Sequence, residues 1–488
     1  MMLPYLAPLV AVLATTVAGH GQSPVDMQAL LGPLLSPSAQ LYLPNDAEYA
    51  GVNERWSSIG GPSYAAAVRP ATEEDVRNIV KVASEHDIPF LATGTSHSVK
   101  PGLPGYTTLE NAIHIDLSQM KDISLDHESN TVTIGPGVTN DLVYDTLYAA
   151  KRETPISTDR CLSTLGTMVG GGLGSLQGVR GILADSLVSA HVVTAAGELI
   201  TVSKDSNPDL FWAIRGAGHN FGIVVSATFR TYEPTNGGLS WTGDFIFPNS
   251  QNASVFELVK SLDDGLPIGV FYGVMGTFNK TTKEPLLTVR LIVMGDEEYA
   301  APHLAKVMDL NPLSSTWESK KWNTYGHNSA TMCEKSWNVT LYSIGMERTD
   351  VSTLSEAWTN WSTFSVEREM FDGFWMVERH PEQVLLAVPE EERGVYPWRD
   401  TKLYMFFVNY MLDASHKSEV HATMAPMRAK LQEVMGFENQ HAYVNEAYGD
   451  EGPEVWFGAH NLPRLVALKQ KWDPKNQFGA GMPIPLSL

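Results

Sequence analysis

From Trp56 to about Tyr232, short runs of β type alternate with segments of helical period. Thr72-Glu-Glu-Asp75 is a capping-box variant, and Val76, Ile79, Val80 and Ala83 follow it at helical spacing, which predicts a helix packed on a sheet. His86-Asp-Ile-Pro89 turns the chain into a strand, Phe90 to Thr93. Ala112 to Ser118 alternates, and Thr131 to Val138 alternates until it breaks at Gly-Pro-Gly. Asn140 to Ala150 reads as a second helix. Leu187–Val193 and Glu198–Ser203 flank Ala195-Ala-Gly197 as a hairpin, and Gly222 to Tyr232 supplies another strand.

A Gly/Pro cluster at Pro234 to Gly238 marks a boundary. Beyond it, Phe245–Pro248, Pro267–Phe278 and Pro285–Gly295 predict strands of a second sheet, with helices over Ser352–Phe364 and Ser415–Met435. On a strand over Lys402 to Tyr410, Tyr404, Phe406, Val408 and Tyr410 share one face, suited to a flat apolar molecule or to packing against helices. The class is α+β. No internal repeat is visible, and a chain of 488 residues is expected to divide into two or three domains.

Composition narrows the function. Against 34 basic residues stand 55 acidic ones, a formal charge of −21 that repels phosphate backbones and anionic membrane surfaces. Neither nucleic acid nor a membrane is therefore expected as a partner. Residues 1–19 form an apolar run ending in small residues, which resembles a secretory signal peptide without the usual basic start and is too short to span a bilayer. N-glycosylation patterns at Asn252, Asn279, Asn338 and Asn360 agree with a secreted or vesicular destination. The only cysteines, Cys161 and Cys333, are read as two buried thiols, with one long-range bridge as the alternative.

Two glycine-rich stretches invite a cofactor. Cys161 to Gly181 carries seven glycines in twenty-one residues, suited to a cofactor loop or to a tightly packed turn. It fails the nicotinamide fingerprint, because the third glycine would fall on Ser175 or on Gln177. Arg215 to Gly222 also misses, with three residues between Gly218 and Gly222. In Phe90-Leu-Ala-Thr-Gly-Thr-Ser-His-Ser-Val99 a lone histidine stands behind small residues. His97 could be a satisfied polar group, a base or a covalent attachment point. A metal role is weak, since no second ligand stands at the required spacing, and no metal is expected. Gly94 to Ser98 can present N–H donors to an anion without Lys or Arg.

Four ordered segments then carry a resemblance: Pro70 to Ser98, Arg160 to Gly178, Asn207 to Tyr232 and Tyr443 to Phe478. Together they resemble the FAD-linked oxidoreductases of the berberine-bridge and vanillyl-alcohol oxidase superfamily, which have a PCMH-type FAD-binding domain, and most closely its secreted or vesicular fungal members. The resemblance implies FAD bound by residues 40–235 and 436–488, and an inserted substrate domain over 236–435 built as an antiparallel sheet backed by helices. It implies that Thr93, Gly94, Thr95, Ser96 and Ser98 wrap the pyrophosphate and that His97 bonds covalently to the flavin 8α-methyl. Gly166, Gly170, Gly171, Gly172, Gly222, Ile223 and Val224 would contact the adenine dinucleotide, while Tyr443, Asn445 and Asn461 would border the flavin ring. Asn461 alternatively reads as a helix N-cap.

The chain departs from the family pattern at three places. Thr95-Ser96 precedes His97 where relatives carry glycines. Asp159 stands where doubly linked relatives carry a cysteine, so Cys161 is expected as a buried or flavin-adjacent thiol. In Tyr443-Val-Asn445-Glu446 a glutamate replaces the family tyrosine, and Glu446 is the candidate base, with Tyr443 beside it, its pKa expected to be raised by burial, or else an ion-pair partner for a helix. The implied activity is hydride transfer from a small alcohol, amine or secondary-metabolite intermediate to flavin N5, with O2 as acceptor; the sequence leaves the oligomeric state open, with a monomer favoured. Oxidation of a carbohydrate at C1 and a flavin-bearing scaffold that steers a cyclisation are the alternatives.

Overall fold

The computed structural model describes residues 25–98, 109–279, 281–325, 330–368 and 371–488. The expected signal peptide lies outside these residues. The helix Glu73–Glu85 forms where the period predicts it. Thr72 and Asp75 close the capping box, and Val76, Ile79, Val80 and Ala83 are buried on one face. That face covers a four-stranded sheet in the order β1-β2-β4-β3: β1 (Gln40–Tyr42), β2 (Tyr64–Arg69), β3 (Phe90–Thr93) and β4 (Ala112–Asp116). β2, β4 and β3 run parallel, and β1 joins antiparallel. The parallel register sends β3 into the Gly94–Ser98 loop at the C-terminal end of its strand, where open parallel sheets hold ligands.

A five-stranded antiparallel sheet packs beside it in the order β5-β6-β9-β7-β8, from β5 (Ile123–Asp126), β6 (Thr131–Ile134), β7 (Leu187–Val193), β8 (Leu199–Ser203) and β9 (Ile223–Arg230). β7 and β8 form the hairpin that Ala195-Ala-Gly197 predicts.

An eight-stranded antiparallel sheet makes the second half. Its strands are β10 (Leu239–Pro248), β11 (Val270–Phe278), β12 (Pro285–Val293), β13 (Ser314–Ser315), β14 (Glu318–Lys321), β15 (Asn338–Met346), β16 (Phe371–Arg379) and β17 (Leu403–Met411). One face is covered by the helices Asn252–Lys260, Val351–Val366 and Lys417–Val434 through a core of Trp358, Trp361, Trp375, Phe407 and Met424. The other face turns toward the first half. Strand alternation thus separates Phe407, which lies in the helix-covered core, from Phe406 and Val408, which line the cavity between the halves. After the helix Lys417–Val434 the chain returns to the first half, where the helix Leu462–Trp472 packs on the helix Pro208–Ala217.

Candidate active site

A cavity of about 690 Å³ lies between the halves. Three groups of residues wall it: the loops around Gly94–Ser98 and Ser157–Gly166, the inner face of the eight-stranded sheet, and the returning segments that carry Tyr443–Glu446 and Gln477–Met482.

The first loop is built for close approach. A Cβ at Gly94 would stand 2.6 Å from Cβ and Oγ of Ser163, so only glycine lets the two loops meet. Ser163 in turn caps the helix Thr164–Met168, its Oγ accepting from the Gly166 N–H at 3.0 Å and donating to Pro136 O at 2.8 Å. Ser96 holds a left-handed φ of 59°, and its carbonyl accepts from the Trp56 N–H at 3.0 Å. Its hydroxyl donates to Thr93 Oγ1 at 3.0 Å, and that hydroxyl bonds Nε2 of buried His114 at 2.8 Å. Gly222 opens β9 against β7, where a Cβ would lie 2.6 Å from Val192 Cγ1.

His97 lines this cavity, its imidazole stacked on Trp56 with centroids 4.3 Å apart and planes 13° from parallel. Nε2 lies 2.5 Å from Met332 O. A carbonyl only accepts, so Nε2 carries the proton and Nδ1 the lone pair. Burial pushes the imidazole pKa down, which keeps it neutral.

Tyr443 lines the opposite wall with Val444, Asn445 and Glu446. Its phenolic oxygen accepts from the main-chain N–H groups of Gly172 at 3.1 Å and Leu173 at 3.2 Å, and from Asn445 Nδ2 at 2.7 Å. Burial, reinforced by the Glu446 carboxylate, pushes the phenol above its ordinary value. Tyr443 therefore stays protonated at neutral pH.

Thr93, Gly94, Thr95, Ser96, His97, Ser98, Gly166, Gly222, Ile223, Val224, Tyr443, Asn445 and Glu446 all line one cavity. Four expected contacts lie elsewhere. Gly170, Gly171 and Gly172 stand one layer behind the wall, against Asn445, Tyr396 and Leu183, and their missing side chains make room for protein. Asn461 also lies off the cavity: it donates to Val395 O at 3.0 Å and Phe457 O at 2.9 Å, and its side chain does not cap the following helix. The thiol reading of the cysteines is overturned, because Cys161 and Cys333 form a disulfide with Cα atoms 5.7 Å apart. A separation of 172 residues leaves no sign of that proximity in the sequence.

The sequence reading also missed residues that the sheets deliver. Arg55 lines the cavity beside the loop, donating to Ser98 O at 3.4 Å, so the loop is not without a cation. Across the sheet, Asp244, Arg290, Gly273 and Glu378 stand in register on β10, β12, β11 and β16. Arg290 grips Asp244 through two bonds of 2.7 and 2.9 Å, and His380 Nε2 lies 3.4 Å from Glu378. This polar row borders a wall that carries Phe271, Met275, Phe374, Met376, Phe406 and Val408, with Thr277, Thr288 and Tyr410 among them. Period-two alternation would have pointed Glu378 to the face of Met376, but single charges on strands carry no sign of what they face.

Comparison with known proteins decides what such a cavity serves. Residues 64–203 match the family described as FAD binding domain, and residues 442–485 the family described as berberine and berberine like. The FAD-linked oxidoreductase fmqD of Aspergillus fumigatus is 46% identical over 468 residues, 95% of this chain and 94% of the relative. The FAD-linked oxidoreductase tazL of Aspergillus terreus is 36% identical over 486 residues, 98% of each chain. This chain belongs to the berberine-bridge-like FAD-linked oxidoreductases.

The solved structures agree on the fold. The enzyme matches BBE-like 1 of Physcomitrella patens with a TM-score of 0.82 at 19% identity, over 95% of this chain and 100% of that one. It matches the xylooligosaccharide oxidase from Myceliophthora thermophila with a TM-score of 0.79 at 21% identity, over 94% and 99%. The residues of this flavoenzyme fit FAD: the segments Gly94–Ser98 and Gly222–Val224 line the cavity, Arg55 adjoins the anion-type loop, and a long, mostly apolar wall suits an aromatic ring system.

Proposed function

We propose that this FAD-linked oxidoreductase oxidises a small, largely apolar organic molecule of fungal secondary metabolism, passes the electrons to O2 to give H2O2, and holds FAD covalently through His97. FAD, when bound, supplies the hydride acceptor at N5. The observation that carries the reading is His97: a neutral imidazole in the cavity wall, stacked on Trp56, directly behind the glycine-bearing loop. Thr93 to Ser98 and Arg55 are assigned to the pyrophosphate, and Gly222 to Val224 to the dinucleotide.

The remaining residues bind and orient. Phe374, Phe406 and Val408 exclude water from the reacting bond and give a flat substrate its surface. Glu446, on the wall with Tyr443, takes the proton from the substrate oxygen or nitrogen. The three N–H donors fix the Tyr443 hydroxyl, and Tyr443 in turn sets the Asn445–Glu446 turn. A second reading, oxidation of a carbohydrate at C1, draws on the Asp244–Arg290 and Glu378 row, which could bond sugar hydroxyls. The predominance of aromatic and Met side chains on the same wall favours the apolar substrate.

The proposal includes a secretory route. The Cys161–Cys333 disulfide belongs to an oxidising compartment. The test is acid precipitation of the purified enzyme, followed by an H2O2 screen with alcohols, amines and sugars. A yellow pellet with peroxide from an apolar substrate supports the reading. Yellow in the supernatant removes the covalent role of His97. Product formation without peroxide would favour a scaffold that steers a cyclisation.

A further inference from the structure

Around His97 the chain makes a clamp that the oxidase reading does not use. Cys161 lies two residues before Ser163, the residue packed on Gly94, and its disulfide partner Cys333 follows Met332. The Met332 carbonyl accepts from His97 Nε2 and lies 3.6 Å from Cys161 Sγ, while Met332 Sδ lies 3.4 Å from the Tyr410 hydroxyl.

From there the chain runs beside residues 55–58: the Ser336 N–H bonds Arg55 O at 2.6 Å, the Trp337 N–H bonds Trp56 O at 2.9 Å, and the Ser58 N–H bonds Trp337 O at 2.8 Å. The accepting carbonyl therefore lies on a strip of chain, residues 332–337, that is hydrogen-bonded along the segment bearing the stacking indole. That strip is bonded covalently to the loop that supports Gly94.

We propose that the Cys161–Cys333 disulfide is a positioning device for His97, holding the Met332 carbonyl against Nε2 so that Nδ1 keeps the lone pair needed for flavin attachment. The inference rests on the covalent reading above and goes beyond it. Attachment forms one bond between imidazole nitrogen and the 8α carbon and breaks, in net, one imidazole N–H and one methyl C–H. The two electrons and two protons pass to O2, giving H2O2. A carbonyl held at Nε2 selects the Nε2–H tautomer and fixes the ring against rotation, at no cost to the cavity. Without the disulfide, the strip keeps its hydrogen bonds to residues 55–58 but loses its tie to Cys161, and the carbonyl is no longer pinned.

The experiment compares wild type with the C161A/C333A double variant, each purified with FAD and precipitated in acid. Wild type is expected to keep its flavin in the pellet, and failure there would sink the covalent reading itself. The double variant is expected to bind FAD in native buffer yet lose at least severalfold of its pellet flavin to the supernatant. A folded double variant with wild-type pellet flavin would overturn the positioning role. Should the variant not fold, hydrogen exchange in wild-type holoenzyme before and after reduction with a phosphine decides. Faster exchange at residues 332–338 together with 95–98 supports the clamp, and unchanged exchange at 95–98 overturns it.

Discussion

Asn445 fills the space that a side chain at position 170 would need: a Cβ on Gly170 would stand 2.0 Å from Asn445 Oδ1. The amide thus packed donates to Thr167 O at 2.9 Å and to the Tyr443 oxygen at 2.7 Å, joining the glycine run to the C-terminal return of the chain. The glycines act here through what they admit from the protein.

Gly170→Ala tests that relationship. Overpacking of this kind costs about 1–3 kcal/mol, because Asn445 is held by its two bonds and cannot retreat cheaply. The expected outcome is a lower unfolding midpoint and reduced FAD content, with the Gly94–Ser98 loop untouched. A fully stable, fully loaded G170A enzyme would show that Asn445 can move freely.

Tyr443→Phe removes the acceptor of three N–H groups. Two of them are main-chain donors beside a buried ring, and stranding buried donors costs on the order of 2 kcal/mol. The variant should unfold at lower denaturant. Because burial holds the phenol above its ordinary value, its activity, relative to wild type, should show no new ionisation between pH 6 and 9.

How far the sequence revealed this site depended on the kind of interaction. The helix Glu73–Glu85, the strand into Gly94 and the hairpin β7–β8 are local, written in a cap, a period and a turn within a few residues, and they appear where expected. The disulfide, the Trp56–His97 stack and the Met332 carbonyl join residues far apart in the chain, and no spacing records them. Asn461 shows the opposite failure. It sits in a family motif beside Leu462, but folding turns its amide toward Val395 and Phe457 and away from the cavity. Glu378 was invisible for another reason: its meaning comes from register across four strands.

Four carboxylates line the cavity: Asp159, Asp244 in its pair with Arg290, Glu378 on the sheet and Glu446 on the returning segment, the last two being the candidates for the base. If Glu446 is the base, Glu446→Gln should slow flavin reduction by substrate about 10²- to 10⁴-fold and abolish the acidic limb of its pH profile. Glu378→Gln should then act chiefly on substrate binding. Stopped-flow reduction of both variants separates the roles, and a larger loss in E378Q would move the base to the sheet.

Acid should destabilise the enzyme through His114, which sits under the FAD-type loop. Asn53 donates through Nδ2 to Tyr49 O at 2.9 Å, so its Oδ1 faces His114 Nδ1 at 2.8 Å and accepts from it. Nε2 of the neutral ring is left to accept from Thr93, which in turn accepts from Ser96. Burial first, then the positive charges of Arg55, Lys335 and Arg69 against the opposing pull of Asp116, brings the pKa down to about 4 from an ordinary 6.5. With the folded value depressed, the unfolded chain binds the proton first as pH falls. Stability is therefore full above pH 6.5 and is lost toward pH 4, by about 2 kcal/mol between pH 7 and pH 5 from this residue. Denaturant midpoints of wild type and His114→Gln at the two pH values check it: the variant should start less stable at pH 7 and lose about 2 kcal/mol less on acidification. Equal losses in both proteins would assign the acid sensitivity to other groups, with buried His441, at about 3, the next to test.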